Sequence, residues 1–192
     1  MTPAALAGVL ARGDIWRGDA LARLPQAGVA SGYAELDAEL PGGGWPRGCL
    51  TELLVEQGGV GELTLLLPAL RQLSAGGGWL ALVAPPWRPH APAWAAAGLA
   101  LERLVVVDAG REAVWACEQL LRCGGFAGIL AWPREIDPRG LRRLQVAAEG
   151  RAALAWLWRP AAAAATPSPA PLRVALAPAP PGQAVPGHKR PG

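Results

Sequence analysis

The chain has 192 residues, 52% hydrophobic and 17% charged, with 25 Gly, 20 Pro and a formal net charge of +3. That length suits one domain with short extensions, the apolar content excludes wholesale disorder, and no apolar run reaches the ~18 residues of a membrane helix. The 18 basic residues are 17 arginines and one lysine, Lys189, which excludes a P-loop lysine, a Schiff-base lysine or a lysine nucleophile inside the globular part.

Residues 2–13 read as a short helix, capped by Thr2, with Pro3 in its first turn and Gly13 at its end. With the irregular stretch behind it, this gives an N-terminal helical arm over residues 1–28. The opening lacks a basic n-region and meets Arg12 and Asp14 early, so a soluble, cytoplasmic protein with no membrane association is expected. From residue 29 to 178 short apolar runs alternate with helical stretches. The expected strands are Leu50–Val55, Trp79–Ala84, Leu104–Val107, Ala127–Ala131 and Leu154–Trp158, with Leu172–Leu176 a sixth candidate. Several are apolar without alternation, as in strands covered on both faces. Helices are expected over Glu62–Ser74, Pro92–Ala97, Arg111–Arg122 and Pro138–Glu149, the last with Asp137 as N-cap. The fold class is therefore α/β. Nine of the 20 prolines lie after position 159; residues 160–171 read as a loop and 179–192 as a disordered, proline-rich basic tail. Cys49, Cys117 and Cys123 form no CxxC pair and read as buried thiols in a reducing compartment. With two histidines in the chain, no metal or other cofactor is expected.

The most informative stretch runs from Ser31-Gly32-Tyr33 through Leu36-Asp37 to Pro41-Gly42-Gly43-Gly44-Trp45-Pro46-Arg47-Gly48 and the strand that carries Glu52. Its order resembles the entry to the RecA/RadA ATPase core, where such a strand leads into the phosphate-binding loop. The resemblance implies a RecA-like three-layer sandwich with a mainly parallel central sheet. The loop here contains Gly58, Gly59 and Gly61, and the positions that would hold the lysine and the Mg²⁺-binding hydroxyl are Glu62 and Leu63. A carboxylate at a helix N-terminus suits the dipole and competes with phosphate, so Glu62 reads as a built-in anion in a degenerate P-loop. The Walker B aspartate would be replaced by Ala131, and Pro85-Pro86-Trp87 offers no catalytic carboxylate. ATP hydrolysis, and enzyme activity generally, are not expected.

Among RecA-like proteins without a P-loop, the chain is most similar to the ImuA family. The features are Ile15-Trp16-Arg17-Gly18, Leu40 to Gly48, Gly61-Glu62-Leu63 running into Leu65 to Leu70, Ala84-Pro85-Pro86-Trp87, Leu130 to Pro133, Leu141 to Gln145, and Arg159 to Arg173. This resemblance implies a non-enzymatic adaptor of damage-induced translesion synthesis. Its partners would be an ImuB-type inactive Y-family polymerase and an error-prone replicative-type polymerase, with RecA and DNA as further contacts. Two rival expectations remain: a division inhibitor of the related SulA type, which binds FtsZ, and a residual nucleotide-binding switch.

Two surfaces stand out. Arg139, Arg142 and Arg143 lie opposite Leu141, Leu144 and Ala148 on one helix, and Lys189 and Arg190 sit in the tail. Both can bind DNA phosphates or an acidic partner, or simply be solvated. The nine tryptophans can serve as core, as interface anchors or as stacking platforms.

Overall fold

The computed structural model describes residues 27–56, 58–59 and 61–177. The expected arm, apart from residues 27 and 28, and the expected tail with Lys189 and Arg190 lie outside the described residues. Six parallel strands form one sheet in the order β3-β2-β4-β5-β1-β6: β1 Leu50–Val55, β2 Trp79–Val83, β3 Leu104–Val107, β4 Phe126–Ala131, β5 Leu154–Pro160 and β6 Leu172–Leu176. Each expected strand is present. β2 stops at Val83 because Ala84 takes a left-handed backbone, φ 49°, although its N–H still reaches Val107 O at 2.8 Å. Such a conformation costs a non-glycine residue roughly 1 kcal/mol or more.

A parallel sheet needs both faces covered, and two layers do this. On one face lie α1 (Ala34–Glu39), α2 (Glu62–Ala75) and α3 (Ala91–Ala96), over a core that includes Leu53, Leu66, Leu70, Leu82, Leu130 and Trp156. On the other lie α4 (Ala113–Cys123) and α5 (Pro138–Ala148), over Leu50, Val83, Ile129, Leu121, Leu144 and Leu157. Consecutive strand residues alternate between the two cores, Ile129 and Ala131 facing one and Leu130 the other. The result is the three-layer sandwich implied by the sequence. Asp137 caps α5 as expected, accepting the Gly140 N–H at 2.6 Å.

The Gly-rich entry stretch is explained by close contacts. Val29 and Trp45 exchange both backbone hydrogen bonds, at 2.9 and 2.7 Å, and Trp45 is fully buried with its ring edge-on to Trp156. A Cβ on Gly44 would stand 2.4 Å from Val29 O, so only glycine admits this pairing. The Asp37 carboxylate accepts the Ser31 N–H at 2.7 Å and fixes the start of the stretch. Pro68 inside α2 lacks the N–H that would reach Thr64 O; the Tyr33 hydroxyl lies 3.5 Å from that oxygen.

Among the described residues, no α-helix covers the back face beyond α5, under β1 and β6. There the segment expected as a loop forms a 3₁₀ turn over Ala161–Ala165 and folds back, burying Ala163 and Ala170. A polar cluster holds it. Glu52 in β1 is fully buried and accepts from Arg159 Nη1 at 3.0 Å, Ser168 Oγ at 2.8 Å and Arg173 Nε at 2.7 Å. Arg173 also donates to the carbonyls of Ala163 and Thr166. Removing one side of such a buried pair leaves the other uncompensated, at about 3–5 kcal/mol. Glu52→Gln should therefore lower the unfolding free energy by ~3 kcal/mol or more in denaturant titration, while Glu56→Gln, on the loop after β1, should change it by less than ~0.5 kcal/mol.

The cysteines correct the sequence expectation in one respect. Cys49 and Cys117 are buried, and burial pushes both thiols up to about 12. Cys123, on the last turn of α4, is exposed. The helix period places it beyond Leu121, on the side that faces away from the sheet. A thiol reagent near pH 8 should label one cysteine in the native chain and three after unfolding, read by mass spectrometry.

Candidate functional site

The loop after β1 is glycine-rich because its backbone turns twice through left-handed conformations, with φ 87° at Gly59 and φ 100° at Gly61. Gly61 is also the residue that precedes α2, and Leu65 N–H returns to its carbonyl at 3.1 Å. Glu62 opens the helix and bends its side chain back, so that Oε1 accepts the Gly59 N–H at 2.8 Å. Oε2 is buried and has no partner among the described residues. A backbone donor that could face a phosphate is thus taken by the chain's own carboxylate. Leu63 is half-buried against the α2-side core, with no hydroxyl to hold a cation.

Of the other residues singled out, Ala131 is not brought to this loop. Its side chain is buried among Ala81, Val83 and Ala113 on the α4/α5 face, the opposite side from α2. The residue that falls on the α2 side is Trp132, which stacks on Trp158 with ring centroids 4.2 Å apart and 26° between planes. The register explains the difference. Ala131 pairs with Leu157 on one side and Val83 on the other, all on the back face, so alternation puts the next residue forward. Aromatic carbon thus occupies the end of β4 and β5 on the α2 side. Among the described residues no group of three or more His, Cys, Asp or Glu is placed to hold a metal ion, and no helix is long and apolar enough to cross a membrane.

Arg139, Arg142 and Arg143 are all exposed on α5, as the helix period predicts. They are not equivalent. Arg143 reaches across to α4 and donates to Glu118 Oε2 through Nε at 2.8 Å and also through Nη2. Arg122 holds the other oxygen of Glu118 at 2.8 Å. Arg139 and Arg142 have no ion-pair partner among the described residues. Beside Arg143 lies a cleft of about 690 Å³, open to solvent and lined by Arg111, Glu112, Trp115, Glu135, Ile136 and Gly140 among others. Trp115 is 56% exposed. The sequence reading passed over it, yet the helix period carries the signal: Trp115, Gln119 and Arg122 share the face opposite Ala113, Cys117 and Leu121.

The Arg143 hydrogen bond, aided by the charges of Arg143 and Arg122 and opposed by burial, holds the Glu118 carboxyl below its ordinary range. A lowered folded value means stability that is full above the unfolded value, about 4.3 for glutamate, and lost as pH falls through the folded one. The stability difference between the native chain and Glu118→Gln should therefore be constant from pH 7 to about 5 and shrink below pH 4. Arg143→Leu should move the onset of acid unfolding to higher pH, as followed by circular dichroism.

Comparison with known proteins adds three findings. The family model described as "Cell division inhibitor SulA" matches residues 48–155. SulA from Pseudomonas aeruginosa, a crystal structure, is 30% identical, with 57% of this chain and 96% of that chain covered and a TM-score of 0.47. No curated protein matches. The family match spans more than half of the sequence, from Gly48 before β1 to Ala155 in β5, and takes in the glycine-rich loop after β1, α4 and α5: the chain belongs to the SulA family.

Proposed function

We propose that this member of the SulA family is a non-enzymatic accessory protein of damage-induced translesion synthesis. It acts as an adaptor that binds an ImuB-type inactive Y-family polymerase, with an error-prone replicative-type polymerase in the same assembly and RecA and DNA as further contacts. The observation that carries this reading is the place of the ImuA-like features outside the family match. Trp45, in the Gly-rich stretch, is fully buried against Trp156, and Arg159, Ser168 and Arg173 converge on Glu52. The ImuA-like pattern is thus built into the packing on both sides of residues 48–155 rather than appended to it. The carboxylate of Glu62 on the Gly59 N–H speaks for a protein that works through its surface rather than through nucleotide.

The family match itself favours a second reading, a division inhibitor that binds FtsZ. Copurification of the chain with the ImuB-type protein and, side by side, with FtsZ from the same organism separates the two. The expected outcome is retention of the ImuB-type protein alone; retention of FtsZ alone would replace the adaptor with the inhibitor. Equilibrium dialysis with ATP should show no saturable binding at millimolar nucleotide, and tight binding would revive the reading as a nucleotide switch.

A further inference from the structure

The groove between α4 and α5 combines exposed arginines with exposed apolar side chains. Both helices pack on the back face of the sheet and are tied together by the Arg143–Glu118–Arg122 cluster. Their outer sides carry Arg122, Arg139, Arg142 and Arg143, and one carboxylate, Glu118, lies between them. At the cleft, Glu112 and Glu135 stand with Arg111 and Arg134, and Asp137 is engaged as the cap of α5. The positive surplus therefore lies along the helices. Two large apolar side chains break this surface. Trp115 lines the cleft beside Arg143, and Val146, 55% exposed, lies one turn further along α5. A solvated helix face has no need of either, whereas an aromatic anchor beside arginines is the composition of an interface centre.

We propose that the outer face of α5, together with the groove beside it, docks an acidic amphipathic helix of a partner protein. Apolar side chains of that helix would cover Trp115 and Val146, and its carboxylates would meet Arg139, Arg142 and Arg122. This is the helix-in-groove mode of recognition, and the charge surplus would steer the encounter. A single helix over α5, whose 11 residues span about 16 Å, makes a small interface and a correspondingly weak, reversible contact. Nucleic acid fits less well. Glu135 and Glu149 bracket the arginines at the two ends of α5, where a phosphate backbone would have to run on, and Val146 offers nothing to phosphate. The inference rests on the reading of the chain as a protein-binding adaptor, but not on which partner it engages.

The test is fluorescence anisotropy with three labelled probes: a helical peptide with Glu on one face and Leu on the other, its counterpart with Lys for Glu, and a single-stranded DNA oligonucleotide. The acidic helix should bind, more weakly as salt rises, and the basic one should not. Trp115→Ala and the double change Arg139→Glu with Arg142→Glu should each weaken binding about tenfold or more, while Gln72→Glu on α2 should leave it unchanged. Arg143 is left intact because it supports Glu118, and unfolding midpoints show whether each variant is folded. No binding of the acidic helix, or equal binding by both folded variants, would overturn the proposal. So would DNA binding that these variants abolish, which would make the groove a nucleic-acid surface. Failure of the copurification described above with this binding intact would remove the proposed partner and leave the groove standing.

Discussion

A carboxylate sits where no water reaches it, at Glu52 in β1, and two arginines and a hydroxyl converge on it from β5, β6 and the segment between them. Much of the architecture follows from that cluster. Among the described residues β6 lies at the edge of the sheet, paired only with β1, and no α-helix covers the back face there. A strand in that position would be left half-exposed. The chain instead folds residues 161–171 over the gap and fixes them through Arg173, which holds Glu52 with one nitrogen and the strap's carbonyls with others. An ion pair of this kind contributes little net stability over an apolar replacement, but it strongly penalises any arrangement that separates its members. The alanine- and proline-rich strap has little large apolar surface of its own, so polar anchoring specifies its path.

The same economy of internal pairing recurs at two glutamates elsewhere in the fold. Glu62 takes a donor of the loop that resembles a phosphate cradle, and Glu118 gathers Arg122 and Arg143. In each case a charge that could have met a ligand meets the chain itself. At the end of β4 and β5 the stacked pair Trp132 and Trp158 goes further and places aromatic carbon on the α2 side. Glu62 and Glu118 are thus engaged within the chain, while the outer faces of α4 and α5 stay exposed.

The sheet and its helices were legible because buried parallel strands write themselves as unbroken apolar runs, Gly128–Ala131 among them, and because Asp137-Pro138 is an unambiguous helix start. What the sequence hid depends on three-dimensional register. Whether Ala131 or Trp132 looks toward α2 is a matter of one residue in strand alternation, and only the pairing with Leu157 decides it. Glu52 is one acidic residue in an apolar strand, and its partners lie more than 100 positions away. No local pattern could join them. Arg143 shares the exposed stripe with Arg139 and Arg142, yet a contact with another helix sets it apart.

That division within the stripe bears on how such a fold acquires a partner. A surface arginine that is already paired contributes packing and orientation. Its unpaired neighbours supply the field that a partner senses. Here the paired residues, Arg143 and Arg122, stand over the groove, and Arg139 and Arg142, which have no ion-pair partner among the described residues, lie on the outer side of α5 next to an exposed valine. The ion cluster ties α4 to α5, so that in the proposed docking the groove is preformed and the entropy of ordering would fall on the partner. On the proposed docking, an α/β domain is turned to protein binding by changes confined to two helix faces, with no demand on the sheet beneath.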